Sequence, residues 1–489
     1  MESKFDNVTL DLSDYNQGIH EIPKTFYNPN LIPLPKSMKN WTWINYTTIW
    51  AGMVHNVVQF EIAALLTFEF GPILALLITG LAYGTQLVVM YLNGHIGAKW
   101  GIPYPIAIRP MYGIKGSMIP VILRAFVALF WFAVQTYAGG TIVDAVLSIF
   151  IPSWNTLTLN VLGMPENLAL SFLIFWGINV IVLFKGMNEV KYFELIVGPL
   201  IMLIFGWLAY YGITLSHGIG NIFSVKPELE PTFNQISTSI GALVGAYSTL
   251  ALNIMDFTRF SKTQKDQIVG QTIGFPIMFI IFTFLVVIIV STMMYAFEIP
   301  YSSAMTYINP VNIMYLFTHN PLITLILGIT LIFATVGVNT AANLVSPIYD
   351  FISLFPRRLK SWNRAAIIAS LVGVTYAPWI WFNNATSIFN ALNIVGTSLG
   401  AVAGVMIAKY WILDKSRISL VDLFKPQGVY WYKNGIGIKA LASTLIGGLI
   451  PLIGIVIPQL TIIYTFGWYV AIITSMISYF ALTVKSDLV

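Results

Sequence analysis

Hydrophobic and polar positions alternate along this chain in long blocks. Apolar stretches of about twenty residues, the length a helix needs to cross a bilayer, recur from residue 44 to residue 483 between short polar connections. By that rule the pattern predicts twelve transmembrane helices, at 44–69, 72–93, 119–150, 168–185, 192–214, 236–256, 270–297, 321–350, 365–382, 386–412, 438–458 and 462–483. The runs are continuously apolar, which excludes a transmembrane β-barrel with its alternating ten-residue strands. The expected fold is an all-α polytopic membrane protein. A single membrane domain over 44–484 lies between an N-terminal tail, 1–43, and a C-terminal tail, 485–489. The first carries Asp6, Asp11 and Asp14 and lacks the basic-then-apolar order of a signal peptide.

Composition narrows the function. Hydrophobic residues make up 57% of the 489 and charged ones only 9%, against about a quarter charged in soluble proteins. Mean hydropathy is +0.77. An ordinary soluble enzyme and a disordered chain are excluded, and 25 Lys and Arg against 20 Asp and Glu are too sparse for a nucleic-acid groove. With no cysteine there is no disulfide, thiolate metal site or thiol catalysis. The basic residues also report orientation. With the N-terminus inside, 23 of the 25 fall on the inner side, Arg124 lies within the third span and only Lys226 lies outside. A missed helix would invert every later loop, so the positive-inside rule supports twelve spans with both termini cytoplasmic in a cell membrane.

Two spans are interrupted by small and polar residues. The first passes through Ala51-Gly52-Met53-Val54-His55-Asn56 and the sixth through Gly241-Ala242-Leu243-Val244-Gly245-Ala246-Tyr247-Ser248-Thr249. Unwound backbone at membrane depth survives only where it lines a cavity or meets protein. Breaks in corresponding helices of two five-helix halves point to a transporter with inverted repeats. For Gly241-x-x-x-Gly245 alone, close packing between helices is an equal alternative. The halves would be 44–214 and 236–412, followed by peripheral helices at 438–483.

Polar residues inside the spans supply candidate chemistry. Trp131 and Gln135 share a face of the third helix at i and i+4, offering an aromatic plane beside an amide, suited to a flat heterocycle or ureide. Asn339 and Asn343 are likewise spaced in the eighth, with small Ala341 and Ala342 between them, which favours a ligand site over an interhelical bond. Arg124 and Asp256 both fall toward the inner side. An ion pair between them is one expectation, and independent snorkelling to the interface is the other.

At these residues the chain resembles the nucleobase–cation symporter family that includes bacterial hydantoin, allantoin and uracil permeases. The likeness rests on "IWAGMVHN" at 49–56, "NGH" at 93–95, "IGAKWGIPYPIAIRPMYGIKGSMIP" through Pro120, "RAFVALFWFAVQTYAGG" in the third span, "LNIMDFTRFSKTQKDQI", "NTAANLVSPIYD" and "ISLVDLF". These run in the family's order from about residue 49 to 424, and "GMVHN", "NGH" and "IMDFTRF" are most like allantoin permeases. The resemblance implies two inverted five-helix repeats with broken helices 1 and 6, a bundle of spans 1, 2, 6 and 7 moving against a scaffold of 3, 4, 8 and 9, and two peripheral helices. It places the substrate on Trp131, Gln135, Asn339 and Asn343, with Asn56, Ala246 and Tyr247, and a gate at Phe389. The family often has Trp where this chain has Tyr247, which separates its substrate size from the family's. In sodium-coupled members the ion is held by carbonyls matching Gly52, His55 and Ala334 and by two hydroxyls, but the hydroxyl positions here are Gly337 and Val338. Water, Thr335 or Thr340 is left to compensate, so any sodium site is expected to be weak.

The function implied is a secondary active symporter importing a nucleobase or a ureide such as allantoin, with no cofactor. Its partners are the heterocyclic substrate, a coupling cation and the bilayer, with no nucleic acid. Protons are favoured over sodium because His55 and Glu61 lie at the first break. No Walker A sequence suggests an ATP-driven pump, and no His-Glu-x-x-His or nucleophile–base pair suggests an enzyme. A sodium-coupled symporter of the same substrates, a channel and a binding-only membrane protein remain the alternatives.

Overall fold

The first crossing is two helices, α1 (Trp43–Val54) and the beginning of α2 (Val57–Trp100), joined through His55 and Asn56. The computed structural model describes residues 28, 30–184, 187–227, 230–303, 307–308, 310–381 and 385–487, with side chains for all of these except 187–198, 381, 385–389 and 485–487. At 1.5 Å per residue the 44 residues of α2 run about 66 Å, twice the ~30 Å of a bilayer's hydrocarbon core. The helix therefore holds the remainder of the first crossing and all of the second, with the turn at Gly71 (φ 75, ψ 172) and Pro72. Glycine adopts that positive φ without a Cβ clash, and proline has no N–H to leave unpaired there.

The chain continues through α3 (Met118–Phe150), α4 (Glu166–Phe184), α5 (Met187–Leu215) and α6 (Phe233–Asn253). Next come α7 (Gln264–Ala296) and α8 (Pro321–Leu354), then α9 (Trp362–Val374), α10 (Ala385–Ile407), α11 (Ile438–Val456) and α12 (Gly467–Asp487). Nine of the described helices are long and apolar enough to cross a membrane. The divided first crossing, α5, and α9 with the short helix Pro378–Trp381 supply the rest, so the twelve expected segments each meet a helix. Among the described residues the only sheet is a two-stranded hairpin, Asn160–Val161 with Met164–Pro165.

Two groups of helices emerge from the packing. α2 lies against α6 and α7, while α3 lies against α4, α8 and α9. α5 packs on α1, α7 and α8, and α10 to α12 form a third layer whose α10 covers α6. The seam between α2 and α6 is polar at regular intervals. Gln86 Nε2 donates to the Val244 carbonyl at 2.9 Å and Asn93 Nδ2 to the Ala251 carbonyl at 2.9 Å. Both pairs are seven residues apart, two helical turns on each side. Further along, a Cβ on Gly97 would lie 2.8 Å from Met255 Cα, so glycine is what lets the two backbones meet.

The sixth helix corrects one expectation. It is continuously α-helical from Phe233 to Asn253, and its departure is a single turn residue, Ile254, ahead of a short helix Met255–Thr258. Gly241 and Gly245 are packing positions. A Cβ on Gly241 would sit 2.1 Å from the Thr465 carbonyl oxygen and 2.4 Å from Asn393 Oδ1, and one on Gly245 2.2 Å from the Leu392 carbonyl oxygen. The polar tail is also partly docked. Leu31 and Ile32 are buried, and Arg259 donates to the carbonyls of Asn30 at 2.8 Å and Ile32 at 2.7 Å. Trp41 exchanges backbone bonds with Phe260 and Lys262, and Asn28 Nδ2 reaches the Leu359 carbonyl at 3.3 Å. Residues 1–27 of the expected tail lie outside the described residues.

Candidate functional site

Where α1 stops and α2 starts, carbonyls at one end and N–H groups at the other lose their helical partners. Asn56 meets both. As N-cap of α2 it accepts from the Gln59 N–H at 2.9 Å through Oδ1, and its Nδ2 donates back to the Met53 carbonyl at 3.0 Å. The same Oδ1 accepts from Gln135 Nε2 of α3 at 2.9 Å. Asn56 thus stands in the wall of the site as expected, but its amide is committed to closing the break and aiming Gln135.

A cavity of about 400 Å³, counting its open mouth, lies beside this break. The start of α2 contributes Asn56, Val58, Gln59 and Ile62, α3 contributes Trp131 and Gln135, α6 contributes Ala246, Tyr247, Thr249 and Leu250, and α8 contributes Val338, Ala342 and Asn343. Six of the eight expected substrate residues therefore come together. Three buried polar atoms in this wall have no protein partner: Gln59 Nε2, Trp131 Nε1 and Gln135 Oε1. Each unmet group costs about 1–3 kcal/mol, so the wall is matched to something carrying carbonyls and N–H groups.

Asn339 is the first exception. It is fully buried and outside the lining, with Nδ2 donating to Thr136 Oγ1 at 3.0 Å and to the Phe132 carbonyl at 3.3 Å. Its Oδ1 accepts from Asn343 Nδ2 at 3.0 Å. The pair is thus a relay in which Asn339 anchors α8 to α3 and Asn343 stands at the cavity. The turn that carries them, Asn339–Leu344, is π-helical, a wider turn often found at functional sites. Phe389, the second exception, belongs to α10, and its side chain lies outside those described.

Gln59 escaped the sequence reading although it sits three residues beyond Asn56. Its signal was a lone amide in the apolar run "VVQFEIAALL", where burial without a partner is costly. Oε1 of Gln59 accepts from Tyr83 OH at 3.0 Å and from Tyr247 OH at 3.5 Å. Tyr83 itself is wedged against Phe275, Phe279 and Tyr247, with ring centroids 5.2, 4.4 and 5.5 Å away.

The charged residues are paired differently from expectation. Arg124 Nη1 bonds Asp350 Oδ2 of α8 at 2.9 Å, both side chains fully buried. Asp256 is instead held by the Tyr104 N–H at 2.7 Å and Asn253 Nδ2 at 3.1 Å, and Asn253 also bonds Ser346 of α8. Asp256 lies in the short helix after α6 and Asp350 near the end of α8, and the sequence spacing does not separate them as partners.

The expected sodium position fits poorly. Gly337 and Val338 bring no side-chain oxygen, and Thr340 Oγ1 is spent on the carbonyls of Val336 at 2.8 Å and Gly337 at 3.0 Å. Besides the carbonyls of Gly52, His55 and Ala334, only the buried, unpartnered hydroxyl of Thr335 remains, whereas a hard cation takes a full shell of oxygens. His55 is buried edge-on to Phe282, centroids 5.7 Å apart, with Nδ1 unpartnered. Glu61 is half-buried five residues beyond Asn56 and outside the cavity lining.

Comparison with known proteins establishes the family and the fold. A family described as permease for cytosine/purines, uracil, thiamine, allantoin matches residues 33–471. The allantoin permease of Bacillus subtilis (strain 168) is 37% identical over 465 residues, covering 93% of this chain and 92% of that protein. The hydantoin permease of Microbacterium maritypicum is 26% identical over 439 residues, covering 86% and 83%. Among solved structures, Mhp1, a nucleobase-cation-symport-1 family transporter in a closed conformation with bromovinylhydantoin bound, superposes with a TM-score of 0.79 at 23% identity over 94% of this chain and 95% of that one. The likeness is one of fold: an all-α polytopic membrane protein with an inverted 5+5 repeat of helices and two peripheral helices.

The re-paired arginine gives a direct test. Removing one partner of a buried ion pair costs about 3–5 kcal/mol, so Arg124→Ala should sharply reduce folded, detergent-stable protein. Arg124→Asp combined with Asp350→Arg should recover part of that loss, and Arg124→Asp with Asp256→Arg should recover none. The yield of monodisperse protein on size exclusion reads the difference.

Proposed function

The chain belongs to the family of permeases for cytosine, purines, uracil, thiamine and allantoin, membrane carriers and not enzymes, and from that premise we propose that it imports a small planar amide heterocycle, allantoin or a close relative such as hydantoin or uracil. The cavity beside the broken first helix carries this reading. It combines an indole, Trp131, with unmet donors at Gln59 and Trp131 and an unmet acceptor at Gln135. Ureides and nucleobases present that mixture of C=O and N–H groups around a flat ring. A ligand bound there would lie at the interface of the α2–α6–α7 and α3–α8 groups, where rocking of one against the other gives alternating access. In this reading the membrane unit is 44–484 with repeats at 44–214 and 236–412, and the distribution of basic residues supports both termini lying in the cytoplasm of a cell-membrane protein.

Proton coupling is the reading the residues favour over sodium. The oxygen shell at Gly337 and Val338 is incomplete, while His55 and Glu61 bring titratable groups to the break. Uptake of radiolabelled allantoin into proteoliposomes separates the possibilities. Accumulation should be saturable, persist when choline replaces sodium, and collapse on adding a protonophore. Strict sodium dependence would overturn the coupling assignment, and downhill flux without accumulation would identify a channel.

In the same assay Trp131→Ala should weaken apparent affinity about tenfold to a hundredfold, since aromatic stacking on a base is worth roughly 1–3 kcal/mol, and Trp131→Phe should keep part of it. Unchanged affinity of the alanine variant at equal expression would remove Trp131 from the substrate site.

A further inference from the structure

One orientation of the Gln59 amide gives the buried Tyr83 phenol proton an acceptor, and it is the one the structure shows. Tyr83 is fully buried between Phe275 and Phe279, and its one side-chain hydrogen bond is to Gln59 Oε1. A phenol in such surroundings must give its proton to the single acceptor within reach. Turning the Gln59 amide over would put its NH2 against Tyr83, strip the phenol proton of an acceptor and leave Oε1 unmet at the cavity. The hydroxyl of Tyr247, at 3.5 Å from the same oxygen, adds to the preference. The oxygen of Gln59 is therefore held away by Tyr83, and Nε2, in a side chain 1% exposed, is the group left without a partner in the cavity wall.

We propose that Gln59, locked by Tyr83, is a specificity-determining residue that presents only hydrogen-bond donors and so selects ligands with a carbonyl at that edge over analogues with an amino group there. The inference rests on the reading of this cavity as the substrate site and names the substrate class more closely: oxo ligands such as ureides, hydantoins and uracil, and not the amino bases. An exocyclic amino group facing the Gln59 NH2 would bring two donors together, and neither would be satisfied. Tyr83 touches no ligand in this scheme and is a positioning residue.

Two ligand pairs exchange an oxo for an amino group on the same ring, and with it the adjacent ring N–H for a bare nitrogen: 1-methylhydantoin against creatinine, and uracil against cytosine. The Gln59 and Tyr83 variants separate the part of the preference that belongs to Gln59. Binding to purified full-length protein is measured by equilibrium titration, with size exclusion checking each variant's fold. Because a site built to hydrogen-bond one group strongly rejects its mismatched isostere, the unmodified protein should bind the oxo member at least about tenfold more tightly. Gln59→Leu should bring the ratio close to one, mainly by weakening the oxo ligand. Tyr83→Phe frees the amide to turn, so it should shrink the same ratio while Gln59 remains in place, a result that loss of packing alone does not produce. If Gln59→Leu weakens both members equally, or both variants keep the original ratio, the selector role is wrong while the substrate site stands. If the unmodified protein binds no member of either pair and no allantoin, the cavity reading fails and takes this inference with it.

Discussion

An interrupted helix inside a membrane must find partners for the backbone groups it frees, because hydrocarbon supplies none. In this protein one side chain meets a freed group on each side of the interruption. Asn56 caps the start of α2, holds the Met53 carbonyl of α1, and still has an oxygen lone pair for Gln135. The opening at the break exists because the first crossing stops there, and it keeps its shape because Asn56 couples that stop to α3. The polar lining follows from the same constraint: Gln135 is oriented by Asn56, Gln59 lies one turn into the helix that Asn56 caps, and Asn343 is steadied through Asn339, which itself bonds α3.

At the basic end a second set of contacts draws together the helices that surround the cavity. The buried Arg124–Asp350 pair joins α3 to α8, and Asn253, bonded to Asp256 and to Ser346, joins the end of α6 to α8. The docked segment from Asn28 to Trp41 ties the loop after α6 to that following α8 through Arg259 and Leu359. The Arg124–Asp350 pair lies within the α3–α8 group, whereas the buried Asn253–Ser346 bond crosses from the end of α6 to α8, between the two groups. Losing one member of a buried ion pair leaves a severe penalty, so the pair fixes α3 against α8.

Much of this was legible before any coordinates. Apolar run lengths located the crossings, and the cluster Gly52, His55 and Asn56 marked the first break, since no other explanation covers three such residues together at mid-span. Trp131 and Gln135 were readable because a helical face is set by spacing alone. What the sequence could not distinguish were cases in which two structures share one pattern. Gly241-x-x-x-Gly245 serves equally for unwinding and for close packing, and the neighbours that decide it, Leu392, Asn393 and Thr465, are far away in the chain. Asp256 follows the end of α6 and Asp350 lies near the end of α8, so the choice of partner for Arg124 depends on how those helices pack beside α3. Asn339 and Asn343 share a spacing that implied a common role, whereas the bond between them gives each a different one. Gln59 and Tyr83 escape the sequence reading, because each is a lone polar group in an apolar run and their pairing links two crossings through the turn at Gly71.

Everything turns on where a planar amide ligand sits. A cryo-electron microscopy structure of the purified protein with saturating allantoin tests it most directly. The account predicts density for one ligand beside the His55–Asn56 break, its ring against the Trp131 indole and its polar edges within hydrogen-bond distance of Gln135 and Gln59. Density in another cavity, such as the one bordered by Glu69, Glu230 and Tyr301, with the space beside Trp131 empty, would contradict it.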